Sequence, residues 1–381
     1  MDRSKELALL ETCLAVVRSK KPFMDRDEGM APVAHYIDEA RFEEERDQIF
    51  RQAMNVVAHS SQIAAPGDFV TRDIVGTPAI LVRDDDGRAR AFVNVCRHRG
   101  AMVEQRQAGH CKRFVCPYHA WTYSTDGTLH RVRHPEGFPT LPVAKTALAE
   151  LSCVERGGLV WVCPDPRTRH DELDTATGQL IDEFAELCGG AAVFASDTRV
   201  WKANWKLAVD GGLESYHFRI VHRDTVAPLV GDTDSIYEFI GDHVRSILPR
   251  RSMIELEKQP RSEWSLRQHA QILYTLSPNA VILVQPRHFD LLFFTPLTAD
   301  TTRVEIATVG RKPGPGGYGG KSRRYLEQNH VFTLRTLAED FEIAEQIQRG
   351  MHTGANEHFR FGRFEGALTE WHRRLDRRLG R

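Results

Sequence analysis

CRHRGAMVEQRQAGHCKRFVCPYHAWTY, residues 96–123, decides how the chain reads. Cys96 and His98 are separated by one residue. After seventeen intervening residues come Cys116 and His119, separated by two. Two thiolates and two imidazoles on paired hairpin tips suit zinc, or an iron–sulfur cluster in which both cysteines hold one iron and both histidines the other. The one-residue gap departs from the wider ligand spacings of common zinc fingers. Cys111 reads as a plain thiol.

Outward from this stretch the texture is β. Ala79–Arg83, then Asp-Asp-Asp-Gly at 84–87, then Ala89–Val95 spell strand, turn, strand, with Asp-Gly as the hairpin signal. The signal recurs at Asp126-Gly127 after Trp121–Thr125. Gly158–Cys163 is another apolar strand, ended by Pro164-Asp165-Pro166. Residues 40–165 therefore read as a small antiparallel β domain. Residues 1–39 read as an N-terminal helical segment packing on the C-terminal domain, and a second helical pattern runs from Glu39 to Met54. In 166–381 a helix is expected over Gly178–Cys188 and a helix-like segment to about Arg223. Strands follow at 271–276, 280–285, 289–295 and 303–309, and then a long helix over 323–350. The fold class is α+β. Pro313–Gly320 is Gly-rich but does not follow a strand as a phosphate cradle would.

Lys plus Arg is 51 and Asp plus Glu is 52, so no global field draws nucleic acid or an anionic membrane. With 41% apolar and 27% charged residues the chain is of globular composition. No apolar run is long enough to span a bilayer. Asp2, Lys5, Glu6 and Glu11 interrupt the first twenty residues, which read as an amphipathic helix rather than a signal peptide. Seven cysteines without an export signal read as thiols or ligands, and the cytoplasm is the expected compartment.

A second constellation lies at 204–222: Asn204-Trp-Lys206, Asp210-Gly-Gly-Leu-Glu214-Ser-Tyr216-His217 and His222. Histidines five apart sit about 140° apart on a regular helix, so a shared metal requires the helix to bend or end between them. In the long helix, Leu334, Leu337, Phe341, Ala344 and Ile347 form an apolar stripe with Asp340 inside it. A carboxylate there is costly unless paired or metal-bound, which singles out Asp340. Glu339 and Glu342 project away and read as surface charges. Two histidines and one carboxylate are the set that holds non-haem Fe(II) with open positions.

Cys96-Arg-His-Arg-Gly100 and Cys116-Pro-Tyr-His-Ala-Trp-Thr-Tyr123 resemble the two cluster loops of Rieske non-haem iron aromatic-ring-hydroxylating oxygenases, large (alpha) subunit. Respiratory Rieske proteins carry a further cysteine in each loop, where this chain has Ala101 and Tyr118. Asn204-Trp-Lys206 with Glu214-x-Tyr-His217-x4-His222 resembles the catalytic motif. Glu339-Asp340-x4-Glu345-x2-Gln348 resembles the segment with the third ligand. The likeness runs from about residue 36 to 375.

The resemblance implies an N-terminal all-β Rieske domain with a [2Fe-2S] cluster held by Cys96, His98, Cys116 and His119. It implies a C-terminal helix-grip catalytic domain with mononuclear Fe(II) at His217, His222 and Asp340. It also implies a homotrimer, or a multiple of trimers, in which one subunit's cluster serves its neighbour's iron. Glu214 occupies the place of the acidic residue that bridges the two sites. Asp is commoner there, and Glu occurs in oxygenases of quaternary amines. Gly211 stands where the family often has Asn, which removes a side-chain amide near the iron. The implied activity is a terminal oxygenase that uses O2 and electrons from an NAD(P)H-dependent reductase, with or without a ferredoxin. It would hydroxylate or oxidatively demethylate a small organic, aromatic substrate. Alternatives are a quaternary-amine or betaine monooxygenase, an electron-transfer-only protein, and a zinc-bound ligand-binding protein.

Overall fold

The computed structural model describes residues 1–381. The chain divides into two compact units. One comprises residues 50–174 and 184–192; the other comprises 1–49, 175–183 and 193–381. These boundaries fall some ten residues after the expected 39/40 and 165/166.

The first unit is built on a seven-stranded sheet whose spatial order is Asn55–His59, Leu159–Cys163, Glu150–Arg156, Ala89–Val93, Thr77–Arg83, Asp68–Ile74 and Ala108–His110. The Asp-Gly hairpin closes in register, with Arg83 opposite Ala89 and Val82 opposite Arg90. A three-stranded sheet, Arg113–Val115, Thr122–Ser124 and Leu129–Arg131, carries the second ligand loop. Phe69, Ile80, Phe92, Phe114 and Tyr123 pack into one apolar cluster that includes Cys96 and Cys116.

The second unit holds another seven-stranded sheet: Ala191–Trp201, Thr301–Arg311, Phe289–Thr298, Ala280–Val284, Ala270–Leu276, His243–Pro249 and Ile236–Ile240. The four strands from 270 to 311 are the expected meander, antiparallel throughout. The sheet extends beyond it on both sides. Ala191–Trp201 escapes sequence reading because it is an edge strand, half-exposed along its length, and lacks in/out alternation. The long helix spans Gly320–Met351 and buries Leu326, Phe341 and Ala344. A side chain at Gly310 would meet Leu326 at 2.7 Å, so glycine there lets this helix settle on its strand. The N-terminal helix, Arg3–Ser19, belongs to this unit and buries Leu10, Cys13 and Leu14. No helix is long and apolar enough to cross a membrane.

Asn204-Trp205-Lys206 is a structural device. The Asn204 side chain accepts from the Lys206 N–H and caps the helix Trp205–Leu213. Its amide donates to the carbonyls of Tyr36 and Ala299. Lys206 is fully buried and donates to Glu45 at 2.6 Å; Trp205 Nε1 and Arg41 Nε donate to the same carboxylate at 2.9 Å. Removing one member of a buried pair strands the other, at a cost of about 3–5 kcal/mol. Glu45→Ala should therefore destabilise this unit more than Lys206→Met, since Glu45 keeps Arg41 when Lys206 is lost. Denaturant midpoints of the two variants check the order.

Candidate metal centres

In the first unit the two ligand loops share one backbone design. The Cys96 N–H donates to Ala101 O at 2.8 Å and the Gly100 N–H returns to Cys96 O at 3.0 Å. The Cys116 N–H donates to Trp121 O at 2.9 Å and the Ala120 N–H returns to Cys116 O at 3.0 Å. Each loop turns on a left-handed residue, Gly100 at φ 78° and Ala120 at φ 59°. Like donors face like: His98 Nδ1 and His119 Nδ1 are 3.1 Å apart, and the buried thiols of Cys96 and Cys116 interact with each other. That grouping, two sulfurs together and two imidazole nitrogens together, suits a dinuclear cluster with mixed ligation. The Tyr123 hydroxyl accepts the Arg97 N–H at 3.0 Å and lies 3.3 Å from Cys96 Sγ, to which it can donate. Trp121 stacks on His98 with 4.8 Å between centroids, a packing role. Cys111 is half-buried against the same apolar cluster, and burial pushes its thiol up to about 11.

In the second unit the expected helix to about Arg223 stops earlier, at Leu213. Glu214 is extended, and one helical turn, Phe218–Val221, then separates His217 from His222. His217 and His222 stand at the two ends of that turn, as its N-cap and C-cap, and their imidazoles face one another: Nε2 to Nε2 is 3.3 Å. Asp340, from the middle of the long helix, places Oδ1 2.8 Å from His222 Nε2 and 3.3 Å from His217 Nε2. The three ligand atoms lie within 4.8 Å of one another and could hold one ion. Burial pushes the Asp340 carboxyl up, but hydrogen bonds from His217 and His222 outweigh it and hold it below the usual range. For His217, burial pulls the imidazole down, yet Asp340 and Glu214 outweigh it and raise it to about 10.

The opposite nitrogens are tied to carboxylates. His217 Nδ1 bonds to Glu214, whose other oxygen also accepts the backbone N–H groups of Tyr216 and His217. His222 Nδ1 bonds to Glu339 Oε2 at 2.9 Å, an oxygen that also accepts the Thr225 hydroxyl at 2.6 Å. This corrects the reading of Glu339 as a surface charge. Its Cβ leaves the helix off the apolar stripe, but the further methylene, Cγ, lets the carboxylate reach back to the buried His222 ring. The adjacent Glu339-Asp340 pair was the available signal. Such partners fix the tautomer and orientation of a ligating ring, and losing one typically costs 10–100-fold in metal affinity or activity. Glu339→Ala should lower iron occupancy within that range, as metal analysis of the purified variant would show.

The three ligands line a cavity of about 620 Å³ enclosed mainly by apolar side chains, among them Phe218, Phe294, Phe332 and Phe361. Gly211 and Gly212 line it, and a Cβ at Gly211 would meet nothing within 4 Å. His288 also lines the cavity, whereas His243 instead bonds Thr177 and the Ser277 N–H. Asp210 reaches the cavity with both oxygens occupied, by Tyr36 OH at 2.7 Å and His372 Nε2 at 3.1 Å. Glu365 is a further lining carboxylate missed in the sequence; burial pushes it up to about 7.

Comparisons with known proteins agree with this layout. Residues 189–381 match the family "Ring hydroxylating alpha subunit (catalytic domain)", and residues 53–142 match "Rieske [2Fe-2S] domain". The carnitine monooxygenase oxygenase subunit of Escherichia coli (strain K12) is 34% identical over 193 residues, covering 50% of this chain and 51% of that one. At that match the chain spans about half the length of the curated relative. The toluate 1,2-dioxygenase subunit alpha of Pseudomonas putida is 25% identical, covering 84% and 78%. A quaternary ammonium Rieske monooxygenase, whose structure was described for carnitine oxidation by gut microbiota and inter-subunit electron transfer, superposes with TM-score 0.76 at 22% identity, covering 92% of this chain and 95% of that one. That likeness is one of fold.

Proposed function

We infer that this chain, which belongs to the ring hydroxylating alpha subunit family and carries a Rieske [2Fe-2S] domain, is the terminal oxygenase component of a multi-protein system. It inserts oxygen from O2 into a small organic substrate, by hydroxylation or oxidative demethylation. The observation that carries this reading is the convergence of His217, His222 and Asp340 on one cavity wall in a chain that also carries the Cys96, His98, Cys116 and His119 loops.

Cys96 and Cys116 would hold one iron of the cluster and His98 and His119 the other; His217, His222 and Asp340 would hold mononuclear Fe(II). When bound, the cluster supplies electrons singly and the Fe(II) centre supplies the site of dioxygen reduction. The chain's own groups arrange the rest. Glu214 and Glu339 hold the Nδ1–H of His217 and His222, orienting both Nε2 atoms toward the place where a metal would displace their protons. The apolar cavity walls exclude water around the substrate. The electrons come from an NAD(P)H-dependent reductase, with or without a ferredoxin. The oligomer is a trimer or a multiple of trimers, in which Glu214 of one subunit bridges to the cluster histidine of its neighbour.

A second reading, a monooxygenase of quaternary amines, is favoured by Glu214 at the bridging position and by the carnitine-oxidising relative. The main test is spectroscopic. Anaerobically purified protein should be coloured by the cluster. Cys116→Ser should remove that visible absorption while the mononuclear iron stays, because the two ligand sets sit in different units. Loss of both metals from the one change would mean a single shared site. Oxygen uptake with a reductase and candidate aromatic or quaternary-amine substrates then separates the two readings.

A further inference from the structure

We infer that the cavity takes an anionic substrate whose carboxylate is anchored by Arg250, at a distance from the metal-binding end. The inference rests on the cavity being an oxygenase substrate chamber and names the class of molecule that enters it.

Arg250 follows the strand His243–Pro249, its N–H held by the His269 carbonyl at 2.8 Å, and it lines the cavity. Its guanidinium is not spent on the protein. One nitrogen, Nη2, donates to the neutral Gln285 Oε1 at 2.5 Å, while Nε is buried and has no acceptor. Burial pulls the group down from the usual arginine range, and the one counter-influence is the Tyr325 phenol rather than a carboxylate. A desolvated guanidinium with no carboxylate beside it is costly, whereas a carboxylate entering the cavity would supply the missing countercharge through a charge-assisted bond.

The surroundings strengthen the field. The groups acting on Tyr325 include Arg250, Arg267 and Arg287, the last stacked on the phenol ring at 4.8 Å. The acid facing them is Asp290, and it is engaged: it accepts the hydroxyls of Thr308 at 2.5 Å and Thr333 at 2.9 Å, and lies 3.6 Å from His288 Nε2. Of these groups Arg250 lines the cavity; Arg267 and Arg287 lie outside its lining and add to the positive charge around Tyr325 that an incoming anion can neutralise.

Placement along the long helix gives the substrate its length. Tyr325 and Asn329 line the cavity at the cationic end and Asp340 lines it at the metal end. Eleven residues of helix between Asn329 and Asp340 correspond to a rise of about 16 Å, less the reach of the side chains at both ends. The walls between are mainly apolar, with Phe332 and Leu337 from the helix and Leu283 and Leu292 from the sheet, broken by Thr333 and Thr336. The expected ligand has a carboxylate at one end, a body of several carbons, and the oxidised group at the other.

Two sources share this chemistry, an arylalkyl acid and a zwitterionic betaine, and the test separates them. Calorimetric titration of the holoenzyme uses 4-phenylbutyrate and 4-(trimethylammonio)butyrate, each beside its primary amide. We expect at least one carboxylate to bind tenfold or more tighter than its amide, and the preference to fall below threefold in Arg250→Gln. The probe that shows the preference identifies the source. Equal affinity of acid and amide in the parent protein, for both probes, overturns the inference; so does a preference that survives Arg250→Gln. Should circular dichroism show that variant unfolded, Arg250→Met, which keeps the stem and removes the charge, is read instead, and a preference at the parent level overturns the inference. Binding needs no turnover. Carboxylate preference without oxygen uptake would sink the oxygenase reading alone, and oxygen uptake without carboxylate preference would sink this one alone.

Discussion

Asp340→Ala should abolish turnover and empty the mononuclear site while leaving the cluster's visible absorption intact. Asp340 Oδ1 is the one anionic donor within reach of both His217 Nε2 and His222 Nε2. Without it, two neutral imidazoles remain to hold a divalent ion. The loss should exceed the roughly 10–100-fold typical of changes to supporting partners. The scaffold should survive, because each histidine keeps its own carboxylate, Glu214 for His217 and Glu339 for His222. Iron analysis, visible absorption and oxygen uptake on one preparation make the comparison. A variant that retains iron would place the third ligand elsewhere. Equal effects of Asp340→Ala and Glu339→Ala would mean that ligation and support cannot be told apart by geometry here.

How much of this was legible in the sequence differs by residue, for physical reasons. The loops around Cys96 and Cys116 were readable because ligand spacing, Asp-Gly turns and strand lengths are all local. Asp340 was readable because a carboxylate inside an apolar helical stripe is energetically conspicuous. The separation of the two histidines was readable only as a requirement: a helix had to bend or end between them, and the short turn does end, at Val221, before His222. The earlier end at Leu213 was not expected. Glu339 was misread because helical phase places a Cβ and not the end of a long side chain. Arg250 and Glu45 were silent: the meaning of each lies in partners far along the chain, Tyr325 for one and Lys206 for the other.

Glu214→Gln, loaded with Fe(II), should carry both metals and yet slow electron transfer from cluster to iron by orders of magnitude. In the structure one carboxylate oxygen serves the His217 Nδ1–H and the other accepts two backbone N–H groups. An ionised carboxylate offers about four lone-pair positions, so three are filled and one remains for a donor from outside the chain. A cluster histidine of a neighbouring subunit is the donor we propose. Glutamine has nearly the same volume, but its amide NH2 must face either the imidazole N–H or the backbone N–H groups, donor against donor. It also lacks the charge that orients an imidazole N–H on each side. Glu214 ligates neither metal, so the cluster should be kept whole and the iron site weakened no more than by loss of Glu339, within about 10–100-fold, which added Fe(II) makes up. The measurement is a single turnover: the cluster is reduced anaerobically, substrate and oxygen are added, and cluster reoxidation is followed. Reduction of the cluster by its partner should stay normal. Glu214→Asp restores the charge with a shorter reach and should be intermediate. Reoxidation of Glu214→Gln at the parent rate would leave Glu214 as a clamp on His217 and a cap for the turn that follows. The bridge would then be sought at Asp210, which lines the same cavity and whose two oxygens each accept one donor, from Tyr36 and His372.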